Sequence, residues 1–347
     1  MTRKYFARAN TSSGCINLID SNLKGMNIYT IGGTSKNAKS QLMKTVASHF
    51  ETNGMSVEYI ISPFDIKRCE GIVVRELKFA MTDSDIADKS PAVNIDETLR
   101  MRSLEISDDY LRELEEKRDR YLCGLYDAYE KAKQIHDEWE KIYISNMDFD
   151  RLNAYGTGII SQLIGTEGEK GNTEKVERFF GASTPDGSVN YIDNLTEGLE
   201  KRYFIKGRPG TGKSTFLKRL ARAAEISGYN TEIYYCSFDK NSLDMVLVPE
   251  LKFCVFDSTA PHELFPSRKE DSILDFYTEG GLVGIDEKFD KQLEHIKRKY
   301  NFRVSEGTAN LRLACGFDTE REYYLERVTD FDELSKTADK IIRKIMR

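Results

Sequence analysis

The chain contains two copies of one sequence pattern, and this duplication constrains its fold more than any other feature. Shifted by 173 positions, residues 6–21 align with residues 179–194 at seven identities. Later blocks align at shifts of 174 and 182: Glu76–Phe79 with Glu250–Phe253, and Asp148–Asp150 with Asp330–Asp332. A register that persists through separated blocks indicates a duplicated structural unit.

The repeat predicts two domains, residues 1–165 and 177–347, joined by a polar, glycine-containing linker at 166–176. In the second copy, β-like and helical segments alternate: Arg202–Ile205, a helix from Ser214, then Thr231–Ser237 and Leu251–Phe256. This alternation is typical of a parallel sheet covered by helices. We therefore expect an α/β fold with two tandem domains, each a parallel sheet flanked by helices.

Each domain is also predicted to carry a helical insertion or extension. In the first copy, Ser107 is suited to cap a helix whose apolar positions recur from Leu111 to Ile142. No proline occurs between Pro91 and Pro185. The region is therefore either one long helix or a helical hairpin that turns near Gly124.

Composition and charge narrow the class of protein. Hydrophobic residues make up 39% and charged residues 31%, which suits a packed core and argues against wholesale disorder. The 51 Lys and Arg against 57 Asp and Glu give a net charge of −6, which argues against nucleic-acid and polybasic membrane binding. The six cysteines form no Cys-x-x-Cys pair, so neither a zinc site nor a disulfide framework is indicated. With no signal peptide or membrane-spanning apolar stretch, we expect a cytoplasmic protein.

The second copy contains a phosphate-binding loop pattern, G-x-x-x-x-G-K-[ST], between a predicted strand and a predicted helix. The residues expected to contact a nucleotide are Gly207, Arg208, Pro209, Gly210, Thr211, Gly212, Lys213, Ser214 and Thr215. The glycines let backbone N–H groups turn toward a phosphate, and the helix N-terminus adds its positive dipole. Lys213 is expected to reach the β- and γ-phosphates, Ser214 to ligate Mg²⁺, and Thr215 to lie near the α-phosphate. The loop therefore predicts ATP and Mg²⁺ as cofactors.

Such a loop also needs a carboxylate near the metal, at the end of an apolar strand. Asp257, which ends Phe-Cys-Val-Phe, is the preferred metal ligand, and Asp239 closes the preceding strand on the same rim. His262 and Glu263 are further catalytic candidates because they follow Asp257 closely. Glu250, at the opposite end of that strand, is interpreted as structural. Ser258 stands where many ATPases carry a second carboxylate, so fast hydrolysis is not expected.

The first copy keeps only part of this site. Its degenerate loop retains Gly33, Lys39 and Ser40, and Asp83 aligns with Asp257. Lys36 and Ala38 replace the glycines at 210 and 212. A side chain at these positions penalises the left-handed backbone by about 1–2 kcal/mol per residue, so ordinary ATP binding is not favoured there.

Taken together, the two loops, the repeated Glu-Leu-Lys-Phe block, Asp257–Glu263 and His136–Tyr143 make the chain resemble a family of bacterial tandem P-loop ATP-binding proteins. The resemblance covers almost the full length. It implies two tandem P-loop NTPase domains and ATP binding, but it supplies no reaction. Both halves of such proteins usually carry an intact loop, and this chain departs from that pattern at Lys36 and Ala38.

Three functions stay open from the sequence. The first is a slow Mg-ATP hydrolase or nucleotide-dependent switch that uses the C-terminal site, with the N-terminal copy regulatory or structural. The second is a small-molecule phosphotransferase, and the third is a nucleotide-binding interaction protein without turnover. The partner expected is a nucleotide and not a membrane, and the two copies are expected to form an intramolecular pseudo-dimer.

Overall fold

The computed structural model describes residues 2–165, 173–259 and 263–346. It is an α/β structure with two six-stranded sheets, one built from each copy of the repeat, and helices that flank both sheets. Most of the predicted linker, residues 166–172, lies outside the described residues, so the domain division at 166–176 stays a prediction.

The two halves have the same order of strands. The first-half strands are β1 (Arg3–Tyr5), β2 (Arg8–Thr11), β3 (Gly14–Asn17), β4 (Asn27–Gly32), β5 (Glu58–Ile61), β6 (Cys69–Val74), β7 (Phe79–Asp83) and β8 (Val93–Asn94). The first-half helices are α1 (Ile19–Leu23), α2 (Lys36–Thr52), α3 (Ser84–Ala87), α4 (Asp108–Ile144) and α5 (Phe149–Ile164).

The second half has the same order of strands, whereas its short helices are placed differently. Its strands are β9 (Lys175–Arg178), β10 (Gly181–Thr184), β11 (Gly187–Asn190), β12 (Lys201–Lys206), β13 (Thr231–Tyr235), β14 (Leu243–Val248), β15 (Phe253–Asp257) and β16 (Ser272–Asp275). Its helices are α6 (Ile192–Leu195), α7 (Lys213–Ile226), α8 (Phe276–Glu279), α9 (Ile285–Lys288), α10 (Asp290–Arg327) and α11 (Phe331–Ile345).

The two sheets have the same strand order, β1-β5-β6-β7-β4-β8 and β9-β13-β14-β15-β12-β16. The prediction of parallel sheets is wrong in one respect. β6 and β14 run antiparallel to both of their neighbours, so the sheets are mixed. The reason lies in the connections. Segments as short as 236–242 and 249–252 flank β14, and neither can hold the crossover that a parallel strand needs.

The region after each sheet is one long helix and one shorter helix. α4 is a continuous 37-residue helix, so the hairpin alternative at Gly124 is wrong. Ser107 caps it as the sequence predicts, since its side chain accepts a hydrogen bond from the Tyr110 amide. α10, its counterpart, has 38 residues.

These helical regions are exchanged between the halves. Leu152 of α5 packs in the core of the second half with Leu217 of α7. Leu334 and Ile341 of α11 pack in the core of the first half with Val46 of α2. Each copy therefore completes the hydrophobic core of the other.

The two halves also meet their own counterparts directly. Phe6 and Phe179, which are equivalent in the repeat, exchange two backbone hydrogen bonds of 2.9 and 3.0 Å. α4 and α10 pack antiparallel, with Gly124 beside Asn310 and Tyr129 beside Gly307. Contacts between equivalent residues are the property of a two-fold interface, here within one chain.

Candidate nucleotide and metal site

The loop at residues 207–214 lies between β12 and α7 and has the backbone that its glycines permit. Gly210 and Gly212 adopt φ values of +76° and +74°, a region that disfavours residues with a side chain. A β-carbon at Gly207 would lie 2.5 Å from Thr211 Oγ1. The Thr211 hydroxyl donates to the Arg208 carbonyl at 2.8 Å. α7 begins at Lys213, so the unpaired N–H groups of its first turn lie at this loop.

Lys213 and Asp257 meet beside the loop. The buried Lys213 Nζ donates to the Arg208 carbonyl at 2.8 Å and lies 3.5 Å from Asp257 Oδ2. β15 ends at Asp257, as the sequence predicts, and Asp257 pairs in register with Ile205 of the parallel strand β12. Both strands therefore end at the rim that carries the loop.

Glu250 lies at the opposite rim. It occupies the turn between β14 and β15, where its carboxylate accepts a hydrogen bond from the Asn230 amide at 3.1 Å. The interpretation of Glu250 as a structural residue agrees with this position.

A second carboxylate, Asp244, lies near Asp257 and was missed by the sequence reasoning. Asp244 is buried in β14, and burial together with the negative charge of Asp257 raises its pKa well above the usual range. Ser214 is adjacent in the structure, because its Oγ accepts a hydrogen bond from the Leu243 amide at 2.9 Å. The sequence signal for Asp244 was that it is the single charged residue in the otherwise apolar run Leu243–Val248.

The first half shows why Asp244 is unusual. Its counterpart, Glu70, forms a salt bridge of 2.5 Å with Arg8. Gly181 stands at the position of Arg8 in the second half, so the equivalent arginine is missing. Asp244 therefore lacks the arginine partner that its counterpart Glu70 has in the first half.

Helix α4, from the first copy, covers the loop of the second copy. A β-carbon at Gly210 would lie 2.9 Å from the Glu140 carbonyl oxygen and 3.1 Å from the Glu140 β-carbon. Burial raises the pKa of Glu140. Burial, and next the charge of Lys133, lower the pKa of His136 to about 4, so its ring is neutral at pH 7. In the sequence, His136–Tyr143 contributed to the family resemblance, but nothing indicated that this helix covers the loop.

The remaining predicted residues within the described ranges have different environments. Asp239 follows β13, and its Oδ2 lies 3.4 Å from Lys133 Nζ of α4. Arg208 forms a 2.8 Å salt bridge with Asp286. Pro209 is partly buried in the loop, whereas Thr215 and Glu263 are exposed, and His262 lies outside the described residues.

The first loop has a different backbone. α2 begins at Lys36, three residues before the position equivalent to the start of α7. Without glycines at 36 and 38, these residues continue the helix. The Glu322 carboxylate of α10 accepts hydrogen bonds from the Asn37 amide at 2.9 Å and from Ser35 Oγ at 2.8 Å. An internal carboxylate therefore binds the donors at the start of this helix.

The predicted residues of the degenerate site nevertheless lie together. Lys39 Nζ lies 2.6 Å from Asp83 Oδ2, as Lys213 lies near Asp257. Ser40 Oγ accepts from the Cys69 amide at 2.9 Å, as Ser214 accepts from Leu243. Gly33, with φ of +145°, packs against Ile95. The lysine–aspartate pair is thus common to both halves, whereas the loop backbone is not.

The donor set in the second half suits a hard cation. The hydroxyl of Ser214 and the carboxylates of Asp257 and Asp244 are oxygen ligands, which Mg²⁺ prefers. A second group, His136, Asp137 and Glu140, offers ligand atoms that all lie within 4.8 Å of one another. There, however, Lys133 already forms a salt bridge with Asp137. A lysine also pairs with the first set, Lys213 with Asp257, but that set lies beside the loop and consists of oxygen ligands alone, so it fits Mg²⁺ better.

Comparisons with protein-family models, with curated proteins and with solved structures give no match for this chain. The resemblance to tandem P-loop ATP-binding proteins therefore depends on the sequence motifs alone. None of the helices in residues 2–165, 173–259 and 263–346 combines the length and apolar character needed to cross a membrane.

Proposed function

We propose that the chain binds Mg-ATP at residues 207–214 and acts as a slow hydrolase or nucleotide-dependent switch, with the first copy regulatory or structural. One observation carries the proposal: Lys213 and Asp257 converge beside a loop in which Gly210 and Gly212 have positive φ and which leads into α7. This arrangement unites a cation, a carboxylate and helix N–H donors, which are the groups that a Mg-bound triphosphate requires.

Each residue has a role in this proposal. The N–H groups at the start of α7 bind phosphate oxygens, and Lys213 exchanges its contact with the Arg208 carbonyl for the β- and γ-phosphates. Ser214, Asp257 and Asp244 hold the Mg²⁺, directly or through its waters. The metal, when bound, neutralises phosphate charge.

The switch is favoured by the contact between α4 and the loop. Because Gly210 lies against Glu140, a change in the loop backbone must displace α4 or be resisted by it. α4 in turn packs along α10, whose Glu322 binds the start of α2. A physical path of contacts therefore links the second loop with the first half.

Slow turnover is favoured by the residue after Asp257. Ser258 is fully buried, and its hydroxyl donates to the Ile205 carbonyl at 3.2 Å, so no carboxylate is available at this position to polarise water. For the phosphotransferase alternative, the sequence offers one hint, a candidate acceptor-binding lid at Arg268 and Lys269. Arg268 donates to the Thr196 carbonyl at 3.0 Å and is thereby held in the fold.

The test is the thermal stabilisation by Mg-ATP in two matched variants. Ligand at 100 times its Kd stabilises the folded state by about 2.7 kcal/mol, which raises Tm measurably. Lys213→Ala should lose most of this rise, whereas Lys39→Ala, at the equivalent position in the first half, should keep it. Equal losses in the two variants would contradict the assignment of the site to the second loop.

A further inference from the structure

A cavity of about 260 Å³ lies in the first half, between the start of α2, β6, β7 and the long helices α4 and α10. It is far larger than the roughly 10–15 Å³ that one water requires in the same measure. Five cationic side chains line it: Arg8, Lys36, Lys39, Arg68 and Arg118. The proposed nucleotide site makes no use of this space.

The enclosed charges of the cavity do not cancel. Three carboxylates are as well enclosed as the cations: Glu70, Asp83 and Asp318. Two further carboxylates, Asp85 and Asp119, lie 3.4 Å from Lys39 and 2.8 Å from Arg118, but they are 82% and 61% exposed at the mouth, where water screens them. Four cations that are at most 23% exposed, together with Lys36 at 39%, face these three enclosed carboxylates, so positive charge is in excess inside the cavity.

The cations are held in place by these carboxylates. Asp318 of α10 accepts from Lys36 Nζ at 2.5 Å and from Arg68 Nη1 at 2.7 Å, and it lies 3.7 Å from Arg118 Nη1. Three cations thus share the single carboxylate of Asp318. Such a site is preorganised, because its long side chains already occupy defined positions before any ligand binds.

A nucleoside triphosphate does not suit this cavity. The loop that would bind the phosphates is absent here, because α2 already begins at Lys36 and the Asn37 amide already donates to Glu322. The excess of positive charge and the limited volume suit a smaller anion. We propose that the cavity binds a compact dianion, such as a small phosphate ester or dicarboxylate, between the first sheet and α10. This site is independent of the nucleotide site proposed above.

The test uses inorganic phosphate and succinate as probes at pH 8, with chloride at matched ionic strength as the reference. The full chain carries Lys213→Ala, which removes the second loop as a phosphate site. Titration calorimetry should detect binding of at least one dianion. Binding of phosphate alone indicates a phosphate ester as the natural ligand, and binding of succinate alone indicates a dicarboxylate.

Two arginines of α4 provide a matched pair of variants in that background. Arg118→Ala removes a cavity cation and should weaken dianion binding about tenfold, since one lost charge contact of about 1.4 kcal/mol corresponds to that factor. Arg112→Ala should leave binding unchanged, because Arg112 is exposed and pairs with Asp109 on the surface.

Three results would overturn the proposal. They are absence of binding of either dianion, equal weakening by Arg112→Ala and Arg118→Ala, and dianion binding that disappears with Lys213→Ala. With Lys213 intact, Arg118→Ala should keep the Mg-ATP-dependent rise in Tm. If Lys213→Ala loses the rise and Arg118→Ala keeps it, the nucleotide site is tested separately from the cavity.

Discussion

Two equivalent lysines keep the same partner in the two halves, while the residues before them decide the loop backbone. Lys39 and Lys213 each face the aspartate that ends a neighbouring strand. Gly210 adopts a left-handed backbone, whereas Lys36 at the equivalent position begins a helix. A side chain raises the energy of the left-handed backbone by about 1–2 kcal/mol, which is enough to select between these conformations.

Asp257→Asn tests the metal assignment at this scale. The substitution keeps the shape of the side chain but removes the charge through which it would act on the metal. We expect Mg²⁺-dependent phosphate release from ATP to fall by about tenfold or more, with much smaller loss of metal-free nucleotide binding.

Glu250→Gln is the matched control, since Glu250 lies roughly 20 Å along the chain at the other rim of the sheet. Phosphate release should stay near that of the unmodified protein. If Glu250→Gln reduced release more than Asp257→Asn in folded protein, the metal assignment would be wrong.

Sequence reasoning located Asp257 because a strand that ends in a carboxylate is a local pattern. It could not assign Asp244 or Glu140. The partners of Asp244 depend on the antiparallel direction of β14, and the contact of Glu140 with Gly210 depends on which half α4 covers. Both facts follow from long-range packing, which residue spacing does not contain.

At the scale of elements, the closest approach of α4 and α10 depends on one glycine. A β-carbon at Gly307 would lie 2.4 Å from the ring of Tyr129, which is 1% exposed and cannot move aside freely. Leu125, the counterpart of Gly307 in the repeat, packs in the same cluster. A small residue therefore faces a large one across the approximate two-fold axis.

Gly307→Ala should separate the two helices. Overpacking of this kind costs about 1–3 kcal/mol, so the free energy of unfolding in urea should fall despite the better helix propensity of alanine. Gly316→Ala is the control in the same helix, because nothing lies within 4 Å of its added β-carbon. It should leave stability unchanged or raise it by up to about 1 kcal/mol. Equal effects of the two substitutions would contradict the proposed close contact.

Local patterns predicted some elements and not others. The Ser107 cap and the apolar recurrence predicted the start of α4, and continuity without proline allowed its full length. The exchange of α5 and α11 was not predictable, because their apolar faces would suit either core and the connections at 145–148 and 328–330 decide between them.

At the scale of the whole molecule, one buried arginine joins the two halves. Arg178 of β9 is 1% exposed and donates to Glu58 of the first sheet at 2.9 Å. Its Nη1 lies 3.3 Å from Glu232 of the second sheet, and Arg3 of the first half forms a 2.7 Å salt bridge with the same carboxylate. The salt bridges Arg178–Glu58 and Arg3–Glu232 therefore cross between the halves and add to the pairs that each half forms within itself.

This network predicts a loss of stability in acid. Burial alone would raise the pKa of Glu232, but the charges of Arg178 and Arg3 hold it well below the usual range. Since the unfolded carboxyl has the higher pKa, its stabilising contribution is complete above about pH 4.5 and is lost as the pH falls further. The contribution of Glu232 to the free energy of unfolding in urea, measured as the difference between the unmodified protein and Glu232→Gln, should therefore be constant near pH 6–7 and decrease steadily below about pH 4.5.

Glu232→Gln should change both the level and the slope of this profile. At pH 7 the variant should be less stable by about 3 kcal/mol, because Arg178 and Arg3 lose a buried partner. Between pH 4.5 and 3 its stability should fall less steeply than that of the unmodified protein, although Glu58 still contributes. Glu200→Gln, which removes one member of an exposed pair with Lys252, should cost no more than about 1 kcal/mol and keep the original slope. Parallel profiles for Glu232→Gln and the unmodified protein would show that this carboxylate does not link the two halves through its charge.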